Sequence, residues 1–396
     1  MKERNLRYTC VLTTVELVDL YKDPCSLAYY LAEHGGWEST VVYFGPQEVH
    51  HADFEKYVRL VYLGDEAIYK NKYKLAKKYL KEHAKEMDVL MVFNYGTVSY
   101  GLSRTVKRYN PNALTYCKLD MSDGGFGHFN AQTPWRKLMS IGEIVKSRPI
   151  DLFTVESMTF YRALLKQRVF KKRLEYLPNG VSEVGIDLSS LDNVKKEKML
   201  VTIGRLGNHH KNNELLLDAI EKLYEQEPAL VKAWKFVFVG PSENGFSDRI
   251  ENFKRKLPEI ADGILMTGNL DFRGELYENC ARASIICMTS RWESFGIATV
   301  EGMYFGCCPV ITDYGSVAHD QVPDGVEWGV VVKQEAACVA EGIKRFMTRD
   351  NLSELNEKVR IFAREKFSYR LLSERLQGHL LRIRQNKRHG EVGYYD

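Results

Sequence analysis

Residues 290–303, SRWESFGIATVEGM, decide how the second half of this chain folds. The apolar run 283–289 before them has the length of a strand, and Val300, Met303 and Tyr304 recur at helical spacing. The pattern therefore predicts a strand, a tight turn at Gly296 and a helix. The backbone amides that open this helix, at 296–298, have no partner within it and are available to bind an anion.

Two carboxylates flank this predicted anion site. Glu293 lies on the loop before the turn, and Glu301 lies about one turn into the helix. A phosphate held by the amides would leave one carboxylate to accept hydrogen bonds from a sugar and the other from a ribose. This arrangement suits a nucleotide-sugar.

Length and composition bound the class of protein. At 396 residues the chain is too long for one hydrophobic core, so two domains of about 200 residues are expected. Its 44% hydrophobic and 27% charged residues are typical of a soluble globular protein, and a net charge of +4 is too small to indicate a nucleic-acid partner. No uncharged apolar stretch reaches the about 18 residues of a membrane-spanning helix, and no signal peptide follows Met1, so a cytoplasmic location is expected.

Apolar runs of strand length alternate with helical patterns throughout, which predicts an α/β fold with two doubly wound, mainly parallel sheets. The predicted strands are Tyr8–Thr14, Ser39–Phe44, Arg59–Leu63, Val89–Asn94, Leu114–Leu119, Leu152–Val155, Leu174–Leu177, Met199–Ile203, Lys235–Val239, Ile264–Met266, Ser284–Met288, Val310–Thr312 and Val330–Val332. A turn signal at 178–180 separates a first domain, 1–180, from a second, 181–368, and 369–396 forms a last helix with a basic tail. Ligands of such sheets bind at the carboxyl ends of the strands.

Several segments together resemble the retaining family 4 glycosyltransferases, which have the GT-B fold of two Rossmann-like domains facing a central cleft. These segments are ESFGIATVE at 293–301, VTIGRL at 201–206, KNNELLLDAI at 211–220, FVFVG at 236–240, MTGNL at 266–270, CPVI at 308–311, GVVV at 329–332 and LPNGV at 177–181. The resemblance is strong over 174–370 and holds in outline over 1–173. It implies an acceptor-side first domain, a donor-binding second domain and a last helix that crosses back to the first.

The resemblance also implies roles for residues of the donor domain. Arg205 and Lys211 would stabilise the leaving diphosphate, so no metal ion or other cofactor is expected. Glu293 would hold the donor sugar and Glu301 the ribose. The predicted donor site comprises Gly204, Arg205, Lys211, Asn212, Gly268, Asn269, Leu270, Glu293, Ser294, Phe295, Gly296, Ile297, Ala298 and Glu301. The alternative for Arg205 and Lys211 is a solvated loop with two ordinary basic residues, and the alternative for Glu301 is an exposed acid in the first turn of its helix. His209 and His210 are expected to be exposed loop residues.

The first half departs from the family pattern. The family's glycine-rich loop is replaced by VDLYKDPCS at 18–26, where Lys22 and Asp23 are predicted to contact the acceptor or the donor phosphate, and Asp23 is predicted to be the N-cap of the next helix. Asp120 is predicted to replace the histidine that touches the donor sugar in many family members, with a turn-initiating aspartate as the alternative. Asp123 and His128 are its rivals for that place and are also predicted acceptor-side residues. The predicted catalytic set is thus Glu293, Arg205, Lys211 and Asp120. In the second half, residues 316–319 stand where family members often carry two glycines and a glutamate.

Seven lysines between positions 70 and 85 surround one acid, Glu82, and 135–146 mixes basic and apolar residues at helical spacing. Many family members use such surfaces to reach lipid-linked acceptors at an anionic membrane, whereas a solvated basic face is the plain alternative.

The sequence thus predicts a cytoplasmic retaining glycosyltransferase, peripheral on the inner membrane face. It would move a hexose-type sugar from a nucleoside-diphosphate sugar, with a UDP-sugar expected, to a hydroxyl of a glycan, lipid-linked or protein acceptor in bacterial surface polysaccharide assembly. The alternative is a non-catalytic GT-B subunit that acts as a binding or chaperone partner of another glycosyltransferase. A GT-B epimerase or phosphorylase fits these motifs poorly.

Overall fold

The thirteen β-strands of the described residues form two separate sheets. The computed structural model describes residues 4–65, 69–121, 142–270 and 273–388. The chain divides into a first unit, Met1–Gly185 with Ser368–Asp396, and a second unit, Ile186–Phe367, and each unit contains one sheet.

Every strand pairing in both sheets is parallel. The first sheet has the order β3-β2-β1-β4-β5-β6-β7, and the second β10-β9-β8-β11-β12-β13, with these bounds: β1 Arg7–Leu12, β2 Glu38–Tyr43, β3 Val58–Tyr62, β4 Val89–Phe93, β5 Leu114–Lys118, β6 Leu152–Val155, β7 Leu174–Tyr176, β8 Glu197–Ile203, β9 Lys235–Val239, β10 Ile264–Gly268, β11 Ala283–Met288, β12 Cys308–Thr312 and β13 Val330–Val332. The predicted α/β fold is confirmed, and no strand end is displaced by more than two residues.

Helices connect the strands. Their bounds are α1 Asp23–Glu33, α2 Ala52–Glu55, α3 Tyr69–His83, α4 Thr97–Tyr109, α5 Met158–Leu164, α6 Leu188–Asp192, α7 Asn213–Gln226, α8 Pro228–Lys232, α9 Phe246–Lys256, α10 Arg273–Arg282, α11 Ile297–Tyr304, α12 Ser316–Gln321, α13 Ala336–Met347, α14 Leu352–Phe367 and α15 Tyr369–Arg388. Residues 142–147 are also helical, and short 3-10 helices lie at Leu17–Tyr21, Ala84–Glu86 and Pro258–Gly263. None of the helices in the described ranges is long and apolar enough to cross a membrane.

The first sheet is buried on both faces, as its continuous apolar strands predict. Tyr8, Cys10 and Leu12 of β1 pack in one core cluster, while Val11 packs in another. Because successive side chains of a strand point to opposite faces, helices must cover both sides of this sheet.

The last helix, α15, packs within the first unit. Its apolar side chains, including Leu372 and Leu376, join the core cluster that contains Leu31 of α1. The ring of Tyr369 stacks on that of Tyr30 with 6.3 Å between centroids. Burial of this apolar face holds α15 against α1.

A buried ion pair lies at the carboxyl end of the first sheet. Lys118, which ends β5, is 1% exposed; its Nζ lies 3.2 Å from Oδ2 of Asp23 and donates to the carbonyl of Leu177 at 2.6 Å. Asp23 is the first residue of α1, whose N-cap is Lys22, so the prediction of Asp23 as the N-cap is wrong by one residue. The carboxylate of Asp23 therefore pairs with a cation inside the core.

Glu156, directly after β6, is a second buried acid in this region. Its side chain is 0% exposed, and Oε1 accepts a hydrogen bond from the amide of Met121 at 2.6 Å. Burial raises the pKa of Glu156 from 4.5 to about 8, although the charge of Lys118 lowers it, and Asp120 raises it further. The folded protein therefore keeps this carboxyl protonated at pH values where the unfolded chain has released the proton.

This difference predicts a pH dependence of stability. Between pH 4.5 and about 8 the folded state binds more protons at Glu156 than the unfolded state does, so its contribution to stability falls as pH rises, by at most about 1.4 kcal/mol per pH unit. Glu156→Gln keeps the acceptor oxygen but does not titrate. We expect the unfolding free energy of the wild type, minus that of the variant, to fall between pH 5 and pH 8 in urea titrations. A difference that is constant with pH would contradict the assignment.

Candidate functional site

The turn after β11 has the conformation that the sequence predicts. Gly296 has φ of 79°, which strains any other residue, and a Cβ there would also lie a tight 3.1 Å from the hydroxyl of Tyr314. Helix α11 begins at the next residue and exposes its first amides at the carboxyl end of the second sheet. Gly302 lets this helix lie close to β11, because a Cβ would meet Cδ1 of Ile286 at 2.5 Å.

Two residues that the sequence analysis did not include hold this turn. Tyr314 donates its hydroxyl hydrogen to Oε1 of Gln321 at 2.5 Å. Nε2 of Gln321 in turn donates to the carbonyls of Phe295 and Gly296, at 2.5 and 3.3 Å. Both side chains are buried. Gln321 thus holds the loop carbonyls and Tyr314 holds Gln321, which fixes the direction of the opening amides of α11, and no local sequence pattern identifies these two residues.

Glu293 lies in a pocket of polar side chains. It is 7% exposed, and Oε1 accepts hydrogen bonds from Nζ of Lys211 and Oγ of Ser290, each at 2.6 Å. Nε2 of His210 lies 3.6 Å from Oε2. The structure therefore brings together Glu293 and Lys211, which are 82 residues apart in sequence. His210 lies beside this pair and is partly buried, whereas the sequence predicts an exposed loop residue there.

Strand order explains this meeting. Strands β8 and β11 are neighbours in the second sheet, so the loops that follow them lie side by side. The amide of Arg291 donates to the carbonyl of His210 at 2.8 Å, and its guanidinium donates to Oδ1 of Asn212 at 2.8 Å. Asn212 caps α7 in a left-handed conformation, with φ of 51°. Arg205, in contrast, is 59% exposed in its side chain, 3.9 Å from Glu243.

Glu301 is buried, so the alternative of an exposed first-turn acid is wrong. It is 3% exposed and forms an ion pair with Arg273, the first residue of α10. The guanidinium of Arg273 also lies over the ring of Tyr277, 5.4 Å from its centroid. A buried carboxylate needs such a cation, because its charge is otherwise poorly solvated.

The remaining residues of the predicted donor site differ in exposure. Gly204 and Gly268 adopt positive φ at the ends of β8 and β10, and the carbonyl of Gly268 accepts a hydrogen bond from the amide of Gly240 at 3.0 Å. The side chain of Phe295 is 2% exposed and packs against Phe367, so only its backbone is available. Asn269 is exposed, and the partly buried residues are Leu270, Ser294, Ile297 and Ala298.

The first unit brings together fewer of the predicted residues. Lys22 pairs with Asp19 at the surface, at 2.7 Å. Asp23 is buried and pairs with Lys118, and its predicted contact with an acceptor stays a prediction. Asp120 is exposed, two residues beyond the end of β5. Asp123 and His128 lie outside the described residues.

Comparisons with known proteins agree with this architecture. Residues 187–366 match the family model "Glycosyl transferases group 1". An uncharacterized 41.2 kDa protein in the cps region of Klebsiella pneumoniae is 26% identical over 241 residues, which cover 59% of this chain and 62% of that protein. The match thus spans less than two thirds of the relative's length.

Solved structures resemble the chain over nearly its full length. A glycosyltransferase from Rickettsia africae has a TM-score of 0.67 at 15% identity, covering 96% of this chain and 99% of that one. Anabaena HepE, solved with UDP and glucose, has a TM-score of 0.66 at 14% identity, covering 95% and 99%. At these identities the likeness establishes the fold. The chain therefore has the GT-B fold, and its residues 187–366 are the part that matches the group 1 glycosyl transferases.

Proposed function

We propose that this protein is a retaining glycosyltransferase that moves a hexose-type sugar from a nucleoside-diphosphate sugar to a hydroxyl of its acceptor. The observation that carries the proposal is the meeting of Lys211, Glu293 and the opening amides of α11 at one edge of the second sheet. This edge is where open α/β sheets bind ligands, and it lies within the residues that match the family.

Each group has a chemical task in the proposed reaction. The α11 amides and Lys211 bind the diphosphate, Glu293 accepts hydrogen bonds from sugar hydroxyls, and Glu301 accepts them from the ribose. When the bond between sugar and phosphate breaks, negative charge develops on the leaving diphosphate. The cations of Lys211 and Arg205 stabilise that charge, so the proposal requires no metal ion.

The biological setting is part of the proposal. The Klebsiella relative lies in a cps region, which supports a role in surface polysaccharide assembly. The Anabaena structure holds UDP and glucose, which supports a UDP-sugar as the donor. The lysines of α3 support a peripheral contact with an anionic membrane, where the protein would reach a glycan or lipid-linked acceptor. A protein acceptor is the alternative.

A non-catalytic GT-B subunit is the second candidate. It is favoured by the segment after β1, which lacks the glycine-rich loop of the resembled family and whose Asp23 is buried in an ion pair with Lys118 of β5. Such a subunit would keep the fold without turning over a donor. Nucleotide binding and donor hydrolysis therefore distinguish the two candidates.

The proposed function predicts selective stabilisation by one nucleotide. In a thermal-shift panel of UDP, GDP, ADP, CMP and dTDP, the cognate nucleotide at about 100 times its Kd should raise the unfolding free energy by about 2.7 kcal/mol. Glu301→Ala should weaken this effect, because it removes the proposed acceptor for the ribose hydroxyls. Glu225→Ala, on the exposed surface of α7, is the matched control and should behave as wild type. If no nucleotide stabilises the wild type, the donor-site proposal fails and the non-catalytic subunit is favoured.

A further inference from the structure

Trp292, directly before Glu293, is far more exposed to solvent than the other described tryptophans. It is 48% exposed, whereas Trp37, Trp234 and Trp328 are at most 8% exposed. A single exposed apolar residue is common on protein surfaces. An indole placed beside a buried, proposed sugar-binding carboxylate needs a more specific explanation.

The indole of Trp292 is also held in place. The ring of His210 stacks on it with 4.9 Å between centroids and 19° between planes, and His209 lies 5.9 Å away. Nε2 of His210 makes a hydrogen bond with the carbonyl oxygen of Trp292, with the ring in the tautomer that carries a proton on Nε2. A ring fixed before its ligand arrives loses little conformational entropy on binding.

His210 also joins this ring to the candidate site, because its Nε2 lies 3.6 Å from Oε2 of Glu293. One side of His210 thus faces the carboxylate while its ring face supports the indole. A hexose has a matching character, since C–H groups form an apolar face and hydroxyls surround the ring edge. Aromatic rings pack against such C–H faces, and carboxylates accept hydrogen bonds from the hydroxyls.

We propose that Trp292 is the stacking platform for the donor sugar ring, and that His210 is the positioning residue that holds it. This inference rests on the proposed function, because it assigns the sugar of the nucleotide-sugar to the site that Glu293 borders. It adds a specificity-determining residue: the indole favours hexoses whose C–H face is unobstructed. The nucleotide itself makes no contact with the platform.

Calorimetry with a nucleotide and its sugar conjugates tests the inference. The probes are the nucleotide that stabilises the wild type and its glucose, galactose, mannose and N-acetylglucosamine conjugates. We expect at least one conjugate to bind the wild type more tightly than the bare nucleotide does. Trp292→Ala should weaken that conjugate about 3- to 10-fold and leave the bare nucleotide within 2-fold, the range for an aromatic contact. Trp292→Phe should restore most of the loss.

His210 variants test positioning separately. His210→Ala should weaken the conjugate and spare the bare nucleotide, and His210→Phe, which keeps a flat ring, should recover the affinity. Adding the conjugate should change tryptophan fluorescence in the wild type and in Trp328→Phe, the matched control, but not in Trp292→Phe. A wild type that binds no nucleotide would overturn the proposed function and this inference together. Suppose instead that the nucleotide binds normally and that Trp292→Ala still binds the sugar conjugate more tightly than the bare nucleotide, by the same factor as the wild type. That result would overturn this inference alone.

Discussion

Replacing Lys118 by methionine should lower the free energy of unfolding by about 3–5 kcal/mol. Lys118 is 1% exposed, and its ammonium group lies 3.2 Å from the carboxylate of Asp23, which is 3% exposed. Methionine retains most of the side-chain volume but removes the charge. The carboxylate of Asp23 would then lie in the core without a cation, and the carbonyl of Leu177 would lose its donor.

The pKa of Asp23 supports this expectation. Burial raises the pKa of this carboxyl, and the nearby charge of Lys118 opposes the increase. Removing the ammonium group leaves desolvation opposed only by the hydrogen bond from Tyr369, so the pKa of Asp23 should rise further and its charged form should become less stable in the core. This change costs free energy at neutral pH.

Urea unfolding of the full chain measures the effect. The control is the double variant Lys118→Met with Asp23→Asn, in which neither member of this pair is charged. It should recover much of the loss, because replacing a whole buried ion pair is far less costly than breaking it. Lys85→Met, on the exposed surface after α3, is the matched single change and should stay within about 0.5 kcal/mol of wild type. A loss below about 1 kcal/mol in Lys118→Met would show that the pair contributes little.

Replacing Lys211 by alanine should lower turnover of the nucleotide-sugar by about 100- to 1,000-fold, the range for removing one preorganised group that stabilises developing charge. The proposed leaving group is a diphosphate, whose charge grows as the bond to the sugar breaks. Lys211 is held 2.6 Å from Glu293 with its side chain 16% exposed, so its charge is poorly screened by water. The measurement is release of nucleoside diphosphate, with water as the acceptor where no sugar acceptor is known.

A second variant separates chemistry from folding. Lys211→Ala leaves Glu293 without its lysine, so we also expect a lower melting temperature. Lys211→Ala with Glu293→Gln removes the unpaired charge and should regain stability while turnover stays low. Lys222→Ala, an exposed lysine of α7, should leave both unchanged. Turnover above half the wild-type rate in Lys211→Ala would exclude Lys211 from the proposed reaction.

The strands and turns of this protein could be predicted from its sequence, whereas the contacts between distant residues could not. Continuous apolar runs such as 236–239 become buried strands because both faces of a parallel strand are covered, so composition alone indicates the element. Gly296 marks its turn because its positive φ strains any other residue. Because these features depend only on a few adjacent residues, a short sequence pattern is enough to predict them.

Partners of buried charges could not be predicted in the same way. Asp23 resembles an N-cap in sequence, and only its distance to Lys118, 95 positions away, shows a core ion pair. The same holds for Arg273, which sequence analysis did not include and which neutralises Glu301. No periodicity encodes which cation meets which acid, because the pairing depends on how the elements are arranged.

By itself the sequence determined the alternation of strands and helices, the tight turn at Gly296 and the residue types of the candidate donor site. Only the tertiary structure decided that the loop after β8 lies against the loop after β11, which unites Lys211, His210 and Glu293 and leaves Trp292 exposed. The physical reason is strand order. Element formation follows from local burial patterns, whereas neighbours in a sheet are chosen by the packing of the whole unit, so contacts between distant loops exist only once the sheet is assembled.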